Sequence, residues 1–486
     1  MPEKMLQFVT LSRQSAEKRP LAARRSDFAE IQPELAPANA ARQSGRCSQC
    51  GVPFCQSGCP LHNHIPDWLA LAAEGRTREA WELSSQTNNF PEICGRICPQ
   101  DRLCEGACVL EVAQHGGVTI GGVERFLTET AFAEGWVTAP RPPRERARSV
   151  AIIGAGPAGL AAADELRRHG WQVTVYDRHD RVGGLLTYGI PGFKLEKHVV
   201  ARREALLRQA GVVFQLGFAV GRDATLAELR QRHHAVLIAT GVYRSHALHV
   251  PGVGLPGIVP ALDYLTAANR VDLGDTVPEF ASGLLDARDR EVVVIGGGDT
   301  AMDCVRTAVR QGAKRVTCLY RRDRPNMPGS AREVQNAEEE GVQFNWLAAP
   351  LGFLGEARVA AVRAQRMRLA APDATGRQAP VVVPHSEFTL PADLVINALG
   401  FAPEDLPTLW GEPDLRVRAD GTVAVKDLQH DLRTQLPGVF AAGDIVRGAS
   451  LVVWAIADGR RAAAQIHAHL SALAAPATSS PAAAGA

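Results

Sequence analysis

The sequence predicts an α/β protein in which a mostly helical, cysteine-rich N-terminal domain precedes two dinucleotide-binding units. Eight of the ten cysteines lie between Cys47 and Cys108. Two apolar runs, one from Ser149 and one from Glu291, each lead into a glycine-rich turn and then a helical pattern. A strand, a glycine turn and a helix in this order are typical of doubly wound α/β folds.

The composition excludes several classes of function. With 486 residues, 46% hydrophobic and 22% charged, the chain has the size of roughly two to four domains and the balance of a globular protein. Its net charge of +1 provides no electrostatic surface for nucleic acid or an anionic membrane. No stretch reaches transmembrane length, and Met1 to Thr10 lack the apolar core of a signal peptide. We therefore expect a cytoplasmic chain with no nucleic-acid or membrane partner.

The N-terminal cysteines form two groups of closely spaced residues. The first group is Cys47, Cys50, Cys55 and Cys59, and the second is Cys94, Cys98, Cys104 and Cys108. Short loops can bring thiolates at such spacings onto one soft metal centre. Cys59 and Cys98 are each followed by proline, and a Cys-Pro step that closes such a run recurs in ferredoxins that bind iron–sulfur clusters. Eight thiolates suit two [4Fe-4S] clusters.

Disulfides and structural zinc are the alternatives. Disulfides require an oxidising compartment, which a cytoplasmic location does not supply. Zinc sites usually show two close pairs of ligands separated by a longer gap, whereas each group here is an unevenly spaced quartet. Some cysteines could instead be inert core residues, and we interpret Cys304 and Cys318, inside a predicted helix and a predicted strand, in that way.

The first dinucleotide unit carries a complete fingerprint. After the strand 150–153, Gly154 permits a tight turn, Gly156 lets the backbone approach a pyrophosphate, and Gly159 allows close helix–strand packing. The N-terminus of the following helix offers free N–H groups to phosphates. Asp177 ends the next strand, at the position where a carboxylate binds ribose hydroxyls.

Further motifs indicate which dinucleotide this unit binds. They are the glycine turn Gly183-Gly184, the strand end Ala239-Thr240-Gly241, and the C-terminal strand end Gly443-Asp444. This combination resembles the flavoprotein family that has two dinucleotide-binding domains. The resemblance implies that the first fingerprint, with Gly184, holds FAD by its ADP half, and that Gly443 and Asp444 reach the ribityl–phosphate end of the flavin. An ordinary turn is the alternative for Gly443-Asp444.

The second unit predicts a different nucleotide. Gly296 and Gly298 follow its first strand, and Ala301 replaces the third glycine, a change that the fingerprint tolerates. Its second strand ends in Arg321 and Arg322, where an NAD-binding unit would carry an acid. Guanidinium groups bind phosphate through paired hydrogen bonds, so the two arginines favour the 2′-phosphate of NADPH. A solvated charged face is the alternative.

These motifs divide the chain into domains. A Pro- and Arg-rich stretch at 139–148 is typical of a linker. We expect a helical iron–sulfur domain at 1–145, a discontinuous FAD-binding domain at 146–254 and 393–474, and an NADPH-binding domain inserted at 255–392. The tail at 475–486, rich in Ala, Ser and Pro, is predicted to be disordered.

Three longer segments are similar to one family. They are Cys94–Cys108, Gly183–Lys194 and Tyr320–Pro328. Together with the cysteine groups and both fingerprints, they make nearly the whole chain resemble the small (beta) subunits of bacterial NADPH-dependent glutamate synthases. The same module resembles the N-terminal half of dihydropyrimidine dehydrogenase and one subunit of electron-bifurcating transhydrogenases.

This resemblance implies the electron-input subunit of a hetero-oligomer. Such a subunit oxidises NADPH at FAD and passes electrons through two [4Fe-4S] clusters to a large (alpha) subunit, which carries FMN and makes glutamate from glutamine and 2-oxoglutarate. Because the flavin takes the hydride, no catalytic protein acid or base is expected. The alternatives are the same module serving another partner, such as a bifurcating transhydrogenase or a pyrimidine reductase, and a non-catalytic protein that binds zinc and nucleotide.

The resemblance also implies how the ligands are shared between the clusters. One cluster is expected to use Cys47, Cys50, Cys55 and Cys108. The other is expected to use Cys59, Cys98 and Cys104. In related modules a Glu or Gln downstream of the last cysteine replaces one thiolate, and Glu124 is the matching position here. Cys94 and Glu124 therefore compete for one place, and a carboxylate there would change the potential of the cluster.

Overall fold

The computed structural model describes residues 4–474, so the predicted disordered tail at 475–486 lies outside the described residues. The cysteine-rich part is mostly helical, as predicted. Its helices are α1 (Leu21–Arg24), α2 (Pro37–Ser44), α3 (Phe54–Ser57), α4 (Ile65–Ala73), α5 (Thr77–Ser85), α6 (Pro91–Ile97), α7 (Val109–Val112) and α8 (Ile120–Ala133), with 3₁₀ turns at Gln7–Val9 and Gln100–Arg102.

These helices pack around an apolar core of their own. Trp68 and Leu69 of α4 and Leu127 of α8 are buried in it. The fully buried Arg46 donates hydrogen bonds to the main-chain carbonyls of Leu11 at 2.9 Å and Gly117 at 2.8 Å. A buried guanidinium needs such acceptors, because an unpaired buried charge is costly. Arg46 thus holds the N-terminal segment against the loop that follows the second cysteine group.

The first dinucleotide unit follows the linker. Its elements are β1 (Ser149–Ile153), α9 (Pro157–Arg168), β2 (Gln172–Asp177), α10 (Leu185–Tyr188), α11 (Lys197–Gln209), β3 (Val213–Leu216), α12 (Leu226–Arg232) and β4 (Ala235–Ile238). All residues of β1 after Ser149 are buried, as expected of a parallel strand covered on both faces. Pro157 opens α9, where its missing N–H costs no helical hydrogen bond.

The inserted unit and the return to the first unit complete the chain. The chain crosses to the insertion through β5 (Arg244–Ser245). The insertion comprises β6 (Ile258–Pro260), α13 (Ala261–Asp272), α14 (Pro278–Ala281), β7 (Glu291–Ile295), α15 (Asp299–Arg310), β8 (Arg315–Tyr320), α16 (Ala331–Glu339), β9 (Gln343–Trp346), β10 (Ala348–Leu354), β11 (Ala361–Leu369), β12 (Pro380–Pro391) and β13 (Leu394–Asn397), and the chain crosses back through β14 (Phe401–Ala402). The return comprises α17 (Leu406–Trp410), β15 (Val439–Ala441), α18 (Asp444–Arg447) and α19 (Val452–Ala474).

Two parallel sheets organise the two units. Their strand orders are β15-β4-β1-β2-β3 and β6-β13-β7-β8-β9, and the glycine turns follow β1 and β7. In such sheets ligands bind beyond the carboxyl ends of the strands, which is where both turns lie. The strands β10, β11 and β12 form a separate antiparallel sheet. Among the described residues, no helix combines the length and the apolar character that crossing a membrane requires.

The two crossings between the units run side by side. Strands β5 and β14 pair in antiparallel fashion, with Arg244 opposite Ala402 and Ser245 opposite Phe401. The strand β13 follows the predicted boundary at residue 393, yet it pairs with β6 and β7 of the inserted sheet. The chain therefore returns to the first unit after Asn397. Neighbours in a parallel sheet are distant in sequence, so no local pattern marks this point.

Candidate functional site

The two glycine turns repeat one close contact. A Cβ atom on Gly154 would lie 2.3 Å from the carbonyl oxygen of Ala239, just after β4. A Cβ atom on Gly296 would lie 2.3 Å from the carbonyl oxygen of Ala398, just after β13. The φ angles of the two glycines are +116° and +148°, which side chains rarely adopt. Each first glycine is thus required by the neighbouring strand of its own sheet.

The second and third positions of each fingerprint have different surroundings from the first. A Cβ atom on Gly156 or Gly298 would meet no protein atom within 4 Å, so both face open space at the start of α9 or α15. A Cβ atom on Gly159 would lie 2.0 Å from the carbonyl oxygen of Gly154, whereas Ala301 is fully buried in the corresponding place. The open space beside free helical N–H groups is what an approaching pyrophosphate needs.

One large cavity lies between the two units. Its lining includes Gly154, Gly156, Asp177, Thr240, Asp444 and Leu186 from the first unit, Asp299, Thr300 and Asp303 from the second, and Ile97 and Pro99 from the cysteine-rich part. Two further glycines of the predicted FAD site, Gly184 and Gly443, lie next to residues of this lining. A Cβ atom on Gly184 would lie 3.0 Å from Cα of Gly156, and one on Gly443 would lie 2.9 Å from Cβ of Ala158.

Asp177 supports the first glycine turn directly. Its Oδ2 accepts the main-chain N–H of Ala155 at 2.7 Å, and its Oδ1 accepts the main-chain N–H of His179 at 2.8 Å. Beyond it lies a second cavity, lined in part by Phe218 and Trp410. Asp177 lines both cavities, so a ligand that spans them would pass this carboxylate.

Asp444 also lines the large cavity. It begins α18 immediately after Gly443, whose φ is +78°. Its Oδ1 accepts a hydrogen bond from Oγ of Ser450 at 2.6 Å. Burial raises the pKa of Asp444, and the hydrogen bond from Ser450 opposes that rise.

Arg321 and Arg322 follow directly after β8, and no carboxylate of the described residues neutralises their guanidinium charges. Arg321 is exposed and Arg322 is half-buried. Among residues 4–474, neither guanidinium has a carboxylate within ion-pair distance, whereas Nη2 of Arg324 lies 2.9 Å from Oε2 of Glu338. A phosphate ligand would therefore not have to displace an internal carboxylate from these two side chains.

The structure separates the cysteines into two neighbourhoods. In the first, the charges of Cys47 and Cys108 act on Cys55, whose pKa is raised to about 12 by burial first and by those charges second. Burial also raises the pKa of Cys47, with Cys108 and Cys50 adding to the rise. All of these cysteines are free thiols. They are the residues expected at one cluster.

The second neighbourhood is a cavity of its own. Its lining includes Cys59, Cys94, Cys98, Cys104 and Glu124. Burial raises the pKa of Cys59 to about 11, and Glu124 and Cys94 add to that rise. Burial likewise raises the pKa of Glu124 to about 8. In the described part of the chain, no three His, Cys, Asp or Glu side chains are arranged to hold a single metal ion.

Asn88 lies between the two competitors for the last ligand position. Its Nδ2 donates to Oε1 of Glu124 at 3.1 Å, and its Oδ1 accepts from Sγ of Cys94 at 3.8 Å. Both Cys94 and Glu124 line the same cavity, so the structure brings them together without choosing between them. Cys304 in α15 and Cys318 in β8, which were interpreted as core residues, are both fully buried.

The segment around Cys98 connects the sites. Ile97 and Pro99 line the large cavity, and Cys98 between them lines the thiol cavity. A short stretch of main chain therefore separates the two cavities.

Contacts that the sequence does not reveal dock the inserted unit onto this segment. Both Oγ of Ser330 and the N–H of Ala331, at the start of α16, donate to the carboxylate of Asp101 at 2.9 Å. Nη1 of Arg332 donates to Oε1 of Gln100 at 2.8 Å. Asp101 lies in one of the segments quoted for the resemblance, but no sequence signal shows that it caps a helix of another unit.

Family comparisons agree with this architecture. Residues 24–136 match the family model described as dihydropyrimidine dehydrogenase domain II, 4Fe-4S cluster. Residues 148–459 match the model described as pyridine nucleotide-disulphide oxidoreductase. The predicted order of an iron–sulfur domain followed by a dinucleotide-binding oxidoreductase is thereby confirmed.

Comparison with individual proteins identifies the family more narrowly. The chain is 62% identical over 470 residues to the glutamate synthase [NADPH] small chain of Azospirillum brasilense, with 97% of each chain covered. It is 46% identical over 468 residues to the Escherichia coli small chain, covering 95% of this chain and 98% of that one. Mycobacterium tuberculosis FprA in complex with NADPH shares the fold, with a TM-score of 0.57 and 20% identity over 68% of this chain and 86% of that one. The chain therefore belongs to the family of the small chains of NADPH-dependent glutamate synthase.

Proposed function

We propose that this chain is the electron-input subunit of a cytoplasmic glutamate synthase. It oxidises NADPH at FAD and passes the electrons through two [4Fe-4S] clusters to a large (alpha) subunit, which carries FMN and makes glutamate from glutamine and 2-oxoglutarate. Membership of the small-chain family supports this role. The observation that carries it is the position of Cys98, in the wall between the cavity shared by both nucleotide units and the cavity lined by thiols.

The first unit is proposed to hold FAD. FAD supplies a hydride acceptor when bound, and the clusters supply acceptors of single electrons. Gly156 leaves room for the pyrophosphate, and the N-terminus of α9 offers N–H groups to it. Asp177 keeps the turn in shape and retains a free lone pair on Oδ2 for a ribose hydroxyl. Asp444 is assigned to the ribityl–phosphate end, as the resemblance implies, and it lines the same cavity as Asp177.

The inserted unit is proposed to hold NADPH. Gly296, Gly298 and Ala301 shape the turn that receives its pyrophosphate, by the same contacts as in the first unit. Arg321 and Arg322 bind the 2′-phosphate, which their lack of carboxylate partners among the described residues favours. The predicted bounds of this domain are 255–392, within an FAD domain at 146–254 and 393–474. Because β13 pairs with β7, we propose to move its end to Asn397, so that the FAD domain resumes at 398.

The two thiol neighbourhoods are proposed to be successive steps of one path. Cys59, Cys98 and Cys104, with either Cys94 or Glu124, hold the cluster nearer to FAD. Cys47, Cys50, Cys55 and Cys108 hold the outer cluster. Exposed apolar side chains flank the outer group: Val52 is 62% exposed, Phe54 54% and Val112 77%. Exposed apolar side chains beside these cysteines suit a face that the large subunit covers, because exposed apolar surface commonly marks a protein interface.

The purified full-length chain tests the proposal directly. We expect bound FAD, about eight iron atoms per chain and no FMN, with a dye reduced faster by NADPH than by NADH. We also expect the chain to copurify with a large amidotransferase-type chain. A colourless protein that contains zinc and lacks flavin would contradict the proposal, and so would equal rates with the two nucleotides.

A further inference from the structure

A buried lysine lies where the two nucleotide units face each other. Lys194 follows α10 in the first unit, and its Nζ lies 2.8 Å from Oδ1 of Asp303 in α15 of the inserted unit. The two side chains are only 11% and 8% exposed, and both line the large cavity. Burying an ion pair costs desolvation energy that the mutual attraction often only offsets, so its placement here calls for a reason other than stability.

The carboxylates around Lys194 belong to the inserted unit. Burial favours the neutral amine, but Asp303, Glu333 and Asp299 together raise the pKa of Lys194 above its ordinary value. Glu333 already has a partner in Arg306, whose Nη1 donates to it at 2.5 Å. Lys194 thus places an ammonium group of the first unit among acidic side chains of the second.

The hydride must cross the same cavity. The flavin and nicotinamide rings have to touch, and the cavity lined by both units is where they can do so. A hydride carries two electrons and one proton. The nicotinamide therefore becomes a cation and the flavin gains one negative charge, which stays in the cavity after the oxidised nucleotide leaves.

We propose that Lys194, held by Asp303, is the electrostatic residue that stabilises the negative charge left on bound FAD after hydride transfer. This inference rests on the proposed function and adds to it the residue that adjusts the flavin potential. A fixed cation in a water-poor cavity stabilises an anion more strongly than it would in water. Asp303 positions the ammonium and also partly cancels its charge.

The two partners of this pair should shift the flavin potential in opposite directions. Lys194→Met removes the cation and leaves Asp303 facing the flavin, so the reduced form is disfavoured. Asp303→Asn removes the anion nearest to Lys194 and leaves only Glu333 and Asp299 to oppose its charge, so the reduced form is favoured. Lys194→Arg keeps the charge and should stay close to the wild-type value. If the pair served only to hold the two units together, both variants would shift the flavin potential in the same direction.

The experiment is an anaerobic redox titration of the FAD in the full-length chain, with a reference dye and without NADPH. We expect at least a tenfold change in the equilibrium constant for each variant, equal to about 30 mV for a two-electron couple, negative for Lys194→Met and positive for Asp303→Asn. Shifts of the same sign in both variants, or no shift in either, would overturn the proposal. If Lys194→Met fails to retain FAD, Asp303→Asn and Lys194→Arg decide: a positive shift in the former with an unchanged latter supports it, and any other pair of results refutes it.

The same samples separate this inference from the proposed function. Bleaching of the wild-type flavin by NADPH tests the function, because it requires both nucleotides to bind in the cavity. The dye titration requires only bound FAD and therefore tests Lys194 by itself. The thermal shift produced by NADP⁺ provides a readout that is independent of turnover, and loss of that shift in Asp303→Asn alone would indicate a role in nucleotide binding instead.

Discussion

Removing the guanidinium of Arg321 should weaken the binding of NADPH far more than that of NADH. A hydrogen bond to a charged group contributes about 1.5–3 kcal/mol, and each 1.4 kcal/mol is a factor of about ten in affinity. Arg321 is exposed, so solvent screening places the effect at the lower end of that range. We therefore expect Arg321→Ala to raise the KM for NADPH about tenfold and to leave the KM for NADH almost unchanged.

The assay is steady-state reduction of an artificial dye by the full-length chain, with each nucleotide in turn. Arg324→Ala is a matched control, because Arg324 lies on the same loop but pairs with Glu338 at 2.9 Å. That variant loses a surface ion pair worth at most about 1 kcal/mol of stability and should discriminate between the nucleotides as the wild type does. Raising the salt concentration should reduce the preference of the wild type for NADPH more than that of Arg321→Ala.

Equal increases of both KM values in Arg321→Ala would refute the assignment of the 2′-phosphate to this loop. An unchanged KM for NADPH in both Arg321→Ala and Arg322→Ala would do so as well. In either case the two arginines would be the solvated charged face that the sequence also allows.

Three further predictions concern other parts of the site. Gly156→Ala should lower the affinity for FAD about tenfold or more, and Gly298→Ala should do the same for NADPH. Neither variant should destabilise the apoprotein, because neither new methyl group would meet a protein atom. Fluorescence titrations measure both affinities. Of Cys94→Ala and Glu124→Ala, the variant that removes a ligand should lose about half of the iron, and the other should keep it. Glu333→Gln should make the stability of the fold fall less steeply at acid pH. Burial raises the pKa of the Glu333 carboxyl, but the neighbouring buried arginine outweighs burial and lowers this pKa to about 2. The carboxylate therefore stabilises the fold above its ordinary pKa of 4.5, and this contribution is lost as the pH falls towards 2.

Each of these predictions has a contradicting result. Unfolding of the apoprotein by Gly156→Ala would show that protein packing, and not a ligand, requires that glycine. Full iron content in both Cys94→Ala and Glu124→Ala would exclude both residues as the fourth ligand. Urea midpoints measured between pH 7 and 2.5 that fall in parallel for wild type and Glu333→Gln would show that this carboxylate does not contribute to the acid limb.

Much of the fold could be predicted because its signals are local. Gly154 and Gly296 occur where a strand must turn sharply into a helix, and that requirement is written within a few residues of each. The helical character of the cysteine-rich part was also predicted correctly. The return point of the inserted unit was harder to predict, because β13 joins the inserted sheet through partners far away in sequence.

The sequence by itself determined the kinds of group that this protein can hold. Cysteine spacing and the glycine fingerprints are local patterns, and local patterns specify local geometry and donor chemistry. Only the tertiary structure placed Cys98 between the shared cavity and the thiol cavity and paired Lys194 with Asp303. These contacts join segments whose approach depends on the packing of whole units, so no spacing along the chain could show them.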